Sequence, residues 1–365
     1  MKKNLIALAV ASAIAAPVAF ADAPVVYGQV NMALQQTSAK IAGTSVDNDG
    51  TSVDDVASRL GIKGSEDLGN GLKAVYKMEF SVPVGSSSTI GNRNQYVGLA
   101  GGFGTVLMGR HDTPTKMIQG ADLFNDGVAD NGAMAGGLGA FGKGMENRVN
   151  NVLAYVSPSF SGVKLIAAFV PKETGGDGTE ESSLTDLMSF GLTYGSAKKG
   201  LYLAAGMDMA SDSFTGTSGS AGSAGIDVSD AQDGSIVVGA SAATPAGAGA
   251  DAQHTRLVAQ YKTGALVANA MFQDFSGDAL DNTVKGGTNI QANLGYKMGK
   301  FMPKLKVSSV DREKGFEDST NYAVGLDYAL GKKTTSYVTY TSLENAAGVD
   351  KTDTNVISVG LLHKF

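Results

Sequence analysis

The sequence predicts an all-β protein, a 16-stranded antiparallel transmembrane β-barrel, and three observations carry that prediction. Apolar residues recur at every second position through segments of about ten residues, while nothing beyond the N-terminus approaches the ~18 consecutive apolar residues of a membrane helix. The connections between these segments alternate between short and long, as the turns and loops of a membrane barrel do. The chain also opens like an exported protein. Met1-Lys2-Lys3 is basic, Leu5 to about Ala16 is apolar, and Ala19-Phe20-Ala21 offers small residues at a peptidase site. Cleavage is expected before Asp22, which makes 1–21 a secretory signal peptide and 22–365 a single barrel domain.

Taken in order, the first strand is expected at 25–37, just after the cleavage site. The second, 54–65, sets Arg59 and Lys63 against Leu60 and Ile62. The third, 70–83, alternates Leu72, Ala74, Tyr76, Met78 and Phe80 with Lys73, Lys77 and Glu79. The fourth and fifth, 90–101 and 103–112, are joined almost directly. A long segment, 113–146, then precedes the sixth and seventh strands at 147–157 and 161–171. The eighth, 184–196, alternates Met188, Phe190, Leu192 and Tyr194 with Ser189, Gly191, Thr193 and Gly195. Ala197-Lys198-Lys199 leads into the ninth, 200–210. A Gly/Ser/Ala-rich stretch, 211–251, separates it from the tenth and eleventh, 252–263 and 264–275. The twelfth, 288–298, has Ile290, Ala292, Leu294, Tyr296 and Met298 on one face; Gly299-Lys300 leads to the thirteenth, 303–311. The fourteenth, 320–330, carries Tyr322, Val324, Leu326, Tyr328 and Leu330 on its apolar face. Gly331-Lys332-Lys333 turns into the fifteenth, 334–344, and the sixteenth is 353–365. An even count puts both termini on the periplasmic side and lets the first strand pair with the last. A hairpin around Ser235-Ile236-Val237-Val238 is the alternative, raising the count to eighteen.

Such alternation also suits a soluble sandwich, whose apolar faces meet in a dry core. Here the opposite faces carry Lys, Arg, Glu and Gln, which a dry core could not partner but a watery lumen solvates. Tyr and Phe at the ends of several apolar faces suit a membrane interface. Composition agrees. Of 365 residues 49 are Gly, none is Cys, 18% are charged and the net charge is −6. The absent cysteines exclude a disulfide scaffold and thiolate zinc sites. The acidic balance argues against a nucleic-acid partner, because phosphate contacts need a basic face. Loss of Lys2 and Lys3 with the leader makes the mature chain more acidic still.

Motifs for other chemistry are poor. Gly247-Ala248-Gly249-Ala250-Asp251-Ala252 fits a dinucleotide pattern, but no helix follows. Asp47-Asn48-Asp49-Gly50 lacks both the first acid and the final Glu of a calcium loop. His111, His254 and His363 are scattered, and no G-x-S-x-G occurs. No enzyme activity, metal or cofactor is expected.

Several stretches resemble the Gram-negative general porins, the β-proteobacterial and neisserial group in particular. They are Val26-Tyr27-Gly28, the run from Ser58 to Leu72, Tyr96-Val97-Gly98-Leu99, Gly109-Arg110, Arg148-Val149-Asn150-Asn151, Tyr155-Val156-Ser157-Pro158 and the terminal Phe365. The resemblance implies an outer-membrane homotrimer of sixteen-stranded barrels, passing small hydrophilic solutes and ions passively. It also implies a long third loop folded into the pore, here 113–146, bearing Asp122, Asp126, Asp130 and Glu146. Facing it, motif position assigns Arg59, Arg110 and Arg148 to a basic wall. Parity adds Lys63, Lys77 and Glu79 to the lumen, the two lysines counted with the basic wall and Glu79 with the acids facing it. Arg93 is a further candidate, although parity from Val97 and Leu99 sends it toward lipid unless a bulge intervenes. Arg110 meets the same objection from Met108, with Gly109 as a plausible bend. Phe365 resembles the terminal signal read by the barrel-assembly machinery, and membrane lipid and lipopolysaccharide are the implied surroundings. A solute-selective channel, such as one for anions, and a non-transport adhesin or structural barrel are the alternatives.

Overall fold

Two-residue alternation becomes two faces in the computed structural model, which describes residues 23–40, 50–136, 138, 146–171, 182–211, 225–227, 237–239, 252–277, 286–313, 317–345 and 353–365. The expected leader at 1–21, Asp47-Asn48-Asp49 and the run from Gly247 to Asp251 lie outside these residues. Along the last strand Ile357, Val359 and Leu361 are about half exposed, whereas Ser358 between them is 5% exposed. One face therefore meets lipid and the other the interior. Among the described residues no helix is long and apolar enough to cross a membrane.

Strand β1 is Val25–Lys40. Strand β2 comes in two parts, Gly50–Asp55 and Arg59–Gly69, both paired with β1. The break falls at Val56-Ala57-Ser58, where Ala57 adopts a φ of +55°. The single strand expected at 54–65 is thus interrupted and reaches further at both ends. The others are β3 Leu72–Ser81, β4 Gly91–Gly101, β5 Gly104–Asp112, β6 Arg148–Val156, β7 Val163–Val170, β8 Leu187–Gly195 and β9 Gly200–Ala210. They continue as β10 Ala252–Lys262, β11 Leu266–Gly277, β12 Gly287–Tyr296, β13 Phe301–Arg312, β14 Ser319–Ala329, β15 Thr334–Leu343 and β16 Asp353–Lys364. Each pairs antiparallel with the next, and β1 closes on β16 from Gln29↔Lys364 to Lys40↔Asp353. Sixteen strands complete the barrel. The segments Gly225–Asp227 and Val237–Gly239 do form a hairpin near the one suspected, but as a separate two-stranded sheet. The alternative count of eighteen is therefore wrong.

Four glycines let aromatic rings lie flat on a neighbouring strand. A Cβ on Gly61 would sit 2.4 Å from the Tyr27 ring, on Gly64 2.4 Å from the Tyr76 hydroxyl, on Gly360 2.1 Å from Tyr337 and on Gly28 2.5 Å from Phe365. Tyr27 and Tyr337 lie inside the barrel, where their hydroxyls donate to Glu79 and Asn31 at 2.8 and 3.0 Å. Phe365 lies outside, and its backbone exchanges hydrogen bonds with Gly28 across the closing seam.

Among the described residues the interior has no central dry core. Buried apolar residues form small clusters, one within the wall of β5–β8 and the others between the wall and the segment after β5, which holds two short helices, α1 Pro114–Met117 and α2 Asn131–Met134. Ile118 packs on Tyr202, Val258 and Met271; Phe124, Val128 and Met134 pack on Ala323, Leu343 and Val356.

Candidate functional site

The charged lumen is built from the strand faces opposite the lipid. Arg59 follows directly on the break in β2, and its Nη2 donates to Asp126 Oδ2 at 2.7 Å. Lys63, four residues on and of the same parity, holds its ammonium 5.1 Å from the centroid of the Tyr27 ring. On β3, Glu79 collects three partners: Arg93 Nε at 2.8 Å, Lys77 Nζ at 3.1 Å and the Tyr27 hydroxyl.

Both parity objections are resolved by irregularities in the ladder. Met78 pairs with Gln95 but Phe80 with Asn92, so Arg93 and Asn94 together oppose Glu79. This β-bulge turns Arg93 inward, where it is 8% exposed. Arg110 is turned inward where Gly109 pairs with Val152 and His111 with Val149, which leaves Asn150 and Asn151 opposite it. Gly109 has a φ of +142° and Asn151 a φ of +56°, and a Cβ on Gly109 would lie 2.2 Å from the Gln95 carbonyl. Arg110 Nη1 donates to Asn150 Oδ1 at 2.6 Å. Arg148 is held by Asp112 at 2.9 Å and by Asn94 Oδ1 at 2.8 Å.

The segment after β5 is tied to inward-facing side chains at both ends of its course. Near α1, Thr115 donates to Asp208 of β9, and Arg256 of β10 donates to the Thr115 carbonyl at 2.9 Å. Arg256 Nη2 also pairs with Glu146 Oε1 at 2.9 Å. Midway, Lys306 of β13 pairs with Asp122 at 2.9 Å and donates to the Ala129 carbonyl. Lys304 donates to the Leu123 carbonyl at 2.8 Å and pairs with Asp327. Asn289 and Ser308 donate to the Met134 carbonyl. Asp130 caps α2 by accepting from the Ala133 N–H at 2.8 Å. Burial pushes its carboxyl up to about 7, with the Asp122 charge adding to the shift and the Ala133 hydrogen bond opposing it. Between the part nearest Asp126 and the wall of β1 and β13–β16 lies a cavity of about 210 Å³, bordered by Gln35, Lys304, Tyr337, Thr339 and Ser358.

A sixteen-stranded barrel with an ionic lumen narrows the identity, and comparison with known proteins decides it. The family model for Gram-negative porins matches residues 7–348. The chain belongs to the Gram-negative porin family. It is 32% identical over 336 residues to the major outer membrane protein P.IA of Neisseria meningitidis serogroup C, covering 85% of this chain and 82% of that one. P.IB of Neisseria gonorrhoeae is 30% identical over 330 residues, covering 85% and 84%. Among solved structures, an anion-selective porin from Comamonas acidovorans superposes with a TM-score of 0.69 at 21% identity, covering 94% of this chain and 99% of that one. OmpF of Salmonella typhi gives 0.67 at 14% identity, over 94% and 97%. This porin is accordingly an outer-membrane channel for small solutes and not an enzyme.

The expected site residues do not all fall where motif and parity put them. Glu79, grouped with the acids of the segment, stands instead on the wall among the cations. Asp122 and Glu146 are each held by a wall cation, Lys306 and Arg256. Those two cations, with Lys304, escaped the motif comparison. Parity could have found them: Lys304 and Lys306 alternate with Leu305 and Val307, and Arg256 precedes the lipid-facing Leu257. Phe365, directly after β16, lies on the lipid side, as expected from Ile357, Val359 and Leu361. Among the described residues no three His, Cys, Asp or Glu side chains gather as metal ligands.

Proposed function

We propose that the segment 113–146 narrows this porin's lumen and that solutes pass between it and a basic wall formed by Arg59, Lys63, Lys77, Arg93, Arg110 and Arg148. The observation that carries this is the set of ties from Thr115, Asp122 and Asp126 to β9, β13 and β2, which stretch the segment across the barrel interior. Fixed charges of opposite sign across a narrow aqueous waist create a transverse field. Such a field orients polar solutes and excludes apolar ones. Permeation is passive diffusion down a gradient.

A modest anion preference is the second reading. Arg59 pairs with Asp126, Lys77 and Arg93 share the one carboxylate of Glu79, and Lys63 stands beside them over the Tyr27 ring. Focused positive potential raises the local concentration of anions. The anion-selective relative in Comamonas acidovorans is consistent with this preference.

The working form is proposed to be a homotrimer lacking residues 1–21, inserted by the barrel-assembly machinery through Phe365 and surrounded by phospholipid and lipopolysaccharide. One solved relative, OmpT of Vibrio cholerae, is described in a trimer form. Planar-bilayer recording under a KCl gradient tests the whole proposal. Ohmic steps closing in threes, and a zero-current potential that moves toward cations in Arg59→Ala/Arg148→Ala, are expected. Silence from correctly folded protein refutes the open channel and favours an adhesin or structural barrel.

A further inference from the structure

The short turns that lie on the periplasmic side of a membrane barrel are charged on one half of the rim only. Residues 196–199, 263–265, 297–300 and 330–333 join β8–β9, β10–β11, β12–β13 and β14–β15. With Lys262 at the end of β10 they present seven lysines, Lys198, Lys199, Lys262, Lys297, Lys300, Lys332 and Lys333, and the connections hold no acid. The turns β2–β3, β4–β5 and β6–β7, at 70–71, 102–103 and 157–162, hold no charge at all. In a chain of net charge −6 this is a pronounced asymmetry. Among the described residues no carboxylate pairs with any of the seven.

Directly above the lysines, the lipid-facing surface is indented. The registers bring Ala259, Ala270 and Ala292 side by side on β10, β11 and β12, with Ala268 one row nearer the rim. Leu201 and Tyr261 bank this alanine floor on one flank, Leu294 and Leu305 on the other. Three adjacent strands make the floor about 10 Å wide, and the hollow encloses about 410 Å³. An outward ring of Tyr194, Tyr261, Tyr296 and Phe301, each near half exposed, marks the level of the membrane interface around it. Lys300 lies 5.8 Å over the Tyr328 ring at the same level. Along the strands, Lys199 is two residues from Leu201, or about 7 Å, and Lys300 directly precedes the outward-facing Phe301.

We propose that this hollow and the lysines below it form a binding site for one anionic phospholipid of the periplasmic leaflet. The headgroup phosphate meets Lys199 and Lys300, and one acyl chain fills the hollow over Ala268, Ala270 and Ala292. Hydrocarbon alone gives no preference here, because bulk lipid tails are as apolar as the groove. The shape holds a chain through close contacts that a flat wall lacks. The lysines supply the discrimination. Ammonium groups near a membrane surface favour anionic headgroups by about five-fold each.

The test is native mass spectrometry of the purified full-length mature protein in detergent, supplied with equal amounts of phosphatidylglycerol and phosphatidylcholine bearing identical chains. Wild type is expected to retain phosphatidylglycerol at least about five-fold over phosphatidylcholine. Lys199→Gln/Lys300→Gln, confined to exposed turns, should bring the two to parity. Lys332→Gln/Lys333→Gln, on the same rim but away from the hollow, should leave the preference in place. Ala270→Leu should lower retention of both lipids. Equal retention by wild type overturns the proposal, as does an equal loss in the Lys332/Lys333 variant, which would mark a diffuse surface charge. A change of oligomeric state in Ala270→Leu with lipid retention unaltered also overturns it, by assigning the hollow to a second copy of the chain.

Discussion

Lys306→Met tests whether the lumenal segment is clamped by the wall. Lys306 is wholly buried, and its ammonium serves both the Asp122 carboxylate and the Ala129 carbonyl at 2.9 Å. Methionine keeps the unbranched stem, one heavy atom shorter, but leaves that carboxylate without its cation. Removing one partner of a buried ion pair costs about 3–5 kcal/mol, which weakens docking of the segment by roughly two to four powers of ten. The barrel ladder loses nothing, because Ala292↔Val307 and Asn293↔Lys306 pair through backbone. Neighbouring anchors at Gln260, Asn293 and Met134 confine the release to the stretch around 122–130. In single-channel recordings Lys306→Met should show larger and noisier steps, and limited proteolysis should gain a cut between 120 and 135. Asp122→Leu/Lys306→Met removes both charges together and should recover most of the steady conductance, since the loss comes from the orphaned partner. Unaltered conductance and cleavage in a heat-modifiable, folded Lys306→Met barrel would refute the clamp. So would a double variant no better than the single one.

Three further outcomes follow from the same geometry. Arg59→Ala frees Asp126 from its 2.7 Å partner and should shift the zero-current potential toward cations, while Arg59→Lys keeps the sign. Between pH 5 and 8 selectivity should move toward cations as Asp130, raised to about 7, releases its proton, and Asp130→Asn should abolish that titration. The stability sign agrees: the folded state holds this proton up to about pH 7 and the unfolded chain only to about 4, so stability is fullest below pH 4 and falls toward pH 7. Gly28→Val places a Cβ 2.5 Å from both the Arg59 carbonyl and the Phe365 ring, so heat-modifiable folded barrel on gels should drop several-fold with no change in the conductance of the remainder.

Strand number and the division into lipid and water faces were legible because the strand period is two and each face has a different solvent. Arg93 shows the limit of that rule. Its parity is wrong in the sequence and right in the barrel, because one bulge opposite Glu79 adds a residue and reverses every face beyond it. Bulges leave little trace in composition, and the one beside Arg110 showed only as Gly109. The break in β2 was invisible because Ala57, a residue without turn character, takes the left-handed conformation there. Lys304, Lys306 and Arg256 went unassigned for another reason. Parity names them as lumenal but not as partners of Asp122 and Glu146, since those acids lie on a segment with no period to fix its course.

The aromatic rings nested on glycines amount to a reading check on barrel closure. Tyr27 fits Gly61, Tyr337 fits Gly360 and Phe365 fits Gly28, all at or beside the seam where the chain's two ends meet. A slip of one residue would drive each ring into a neighbour that has a side chain, on the wrong face as well. Misaligned ends thus collide where correctly aligned ends interlock. A chain threaded by its first and last strands can in this way reject a wrong seam before any channel opens.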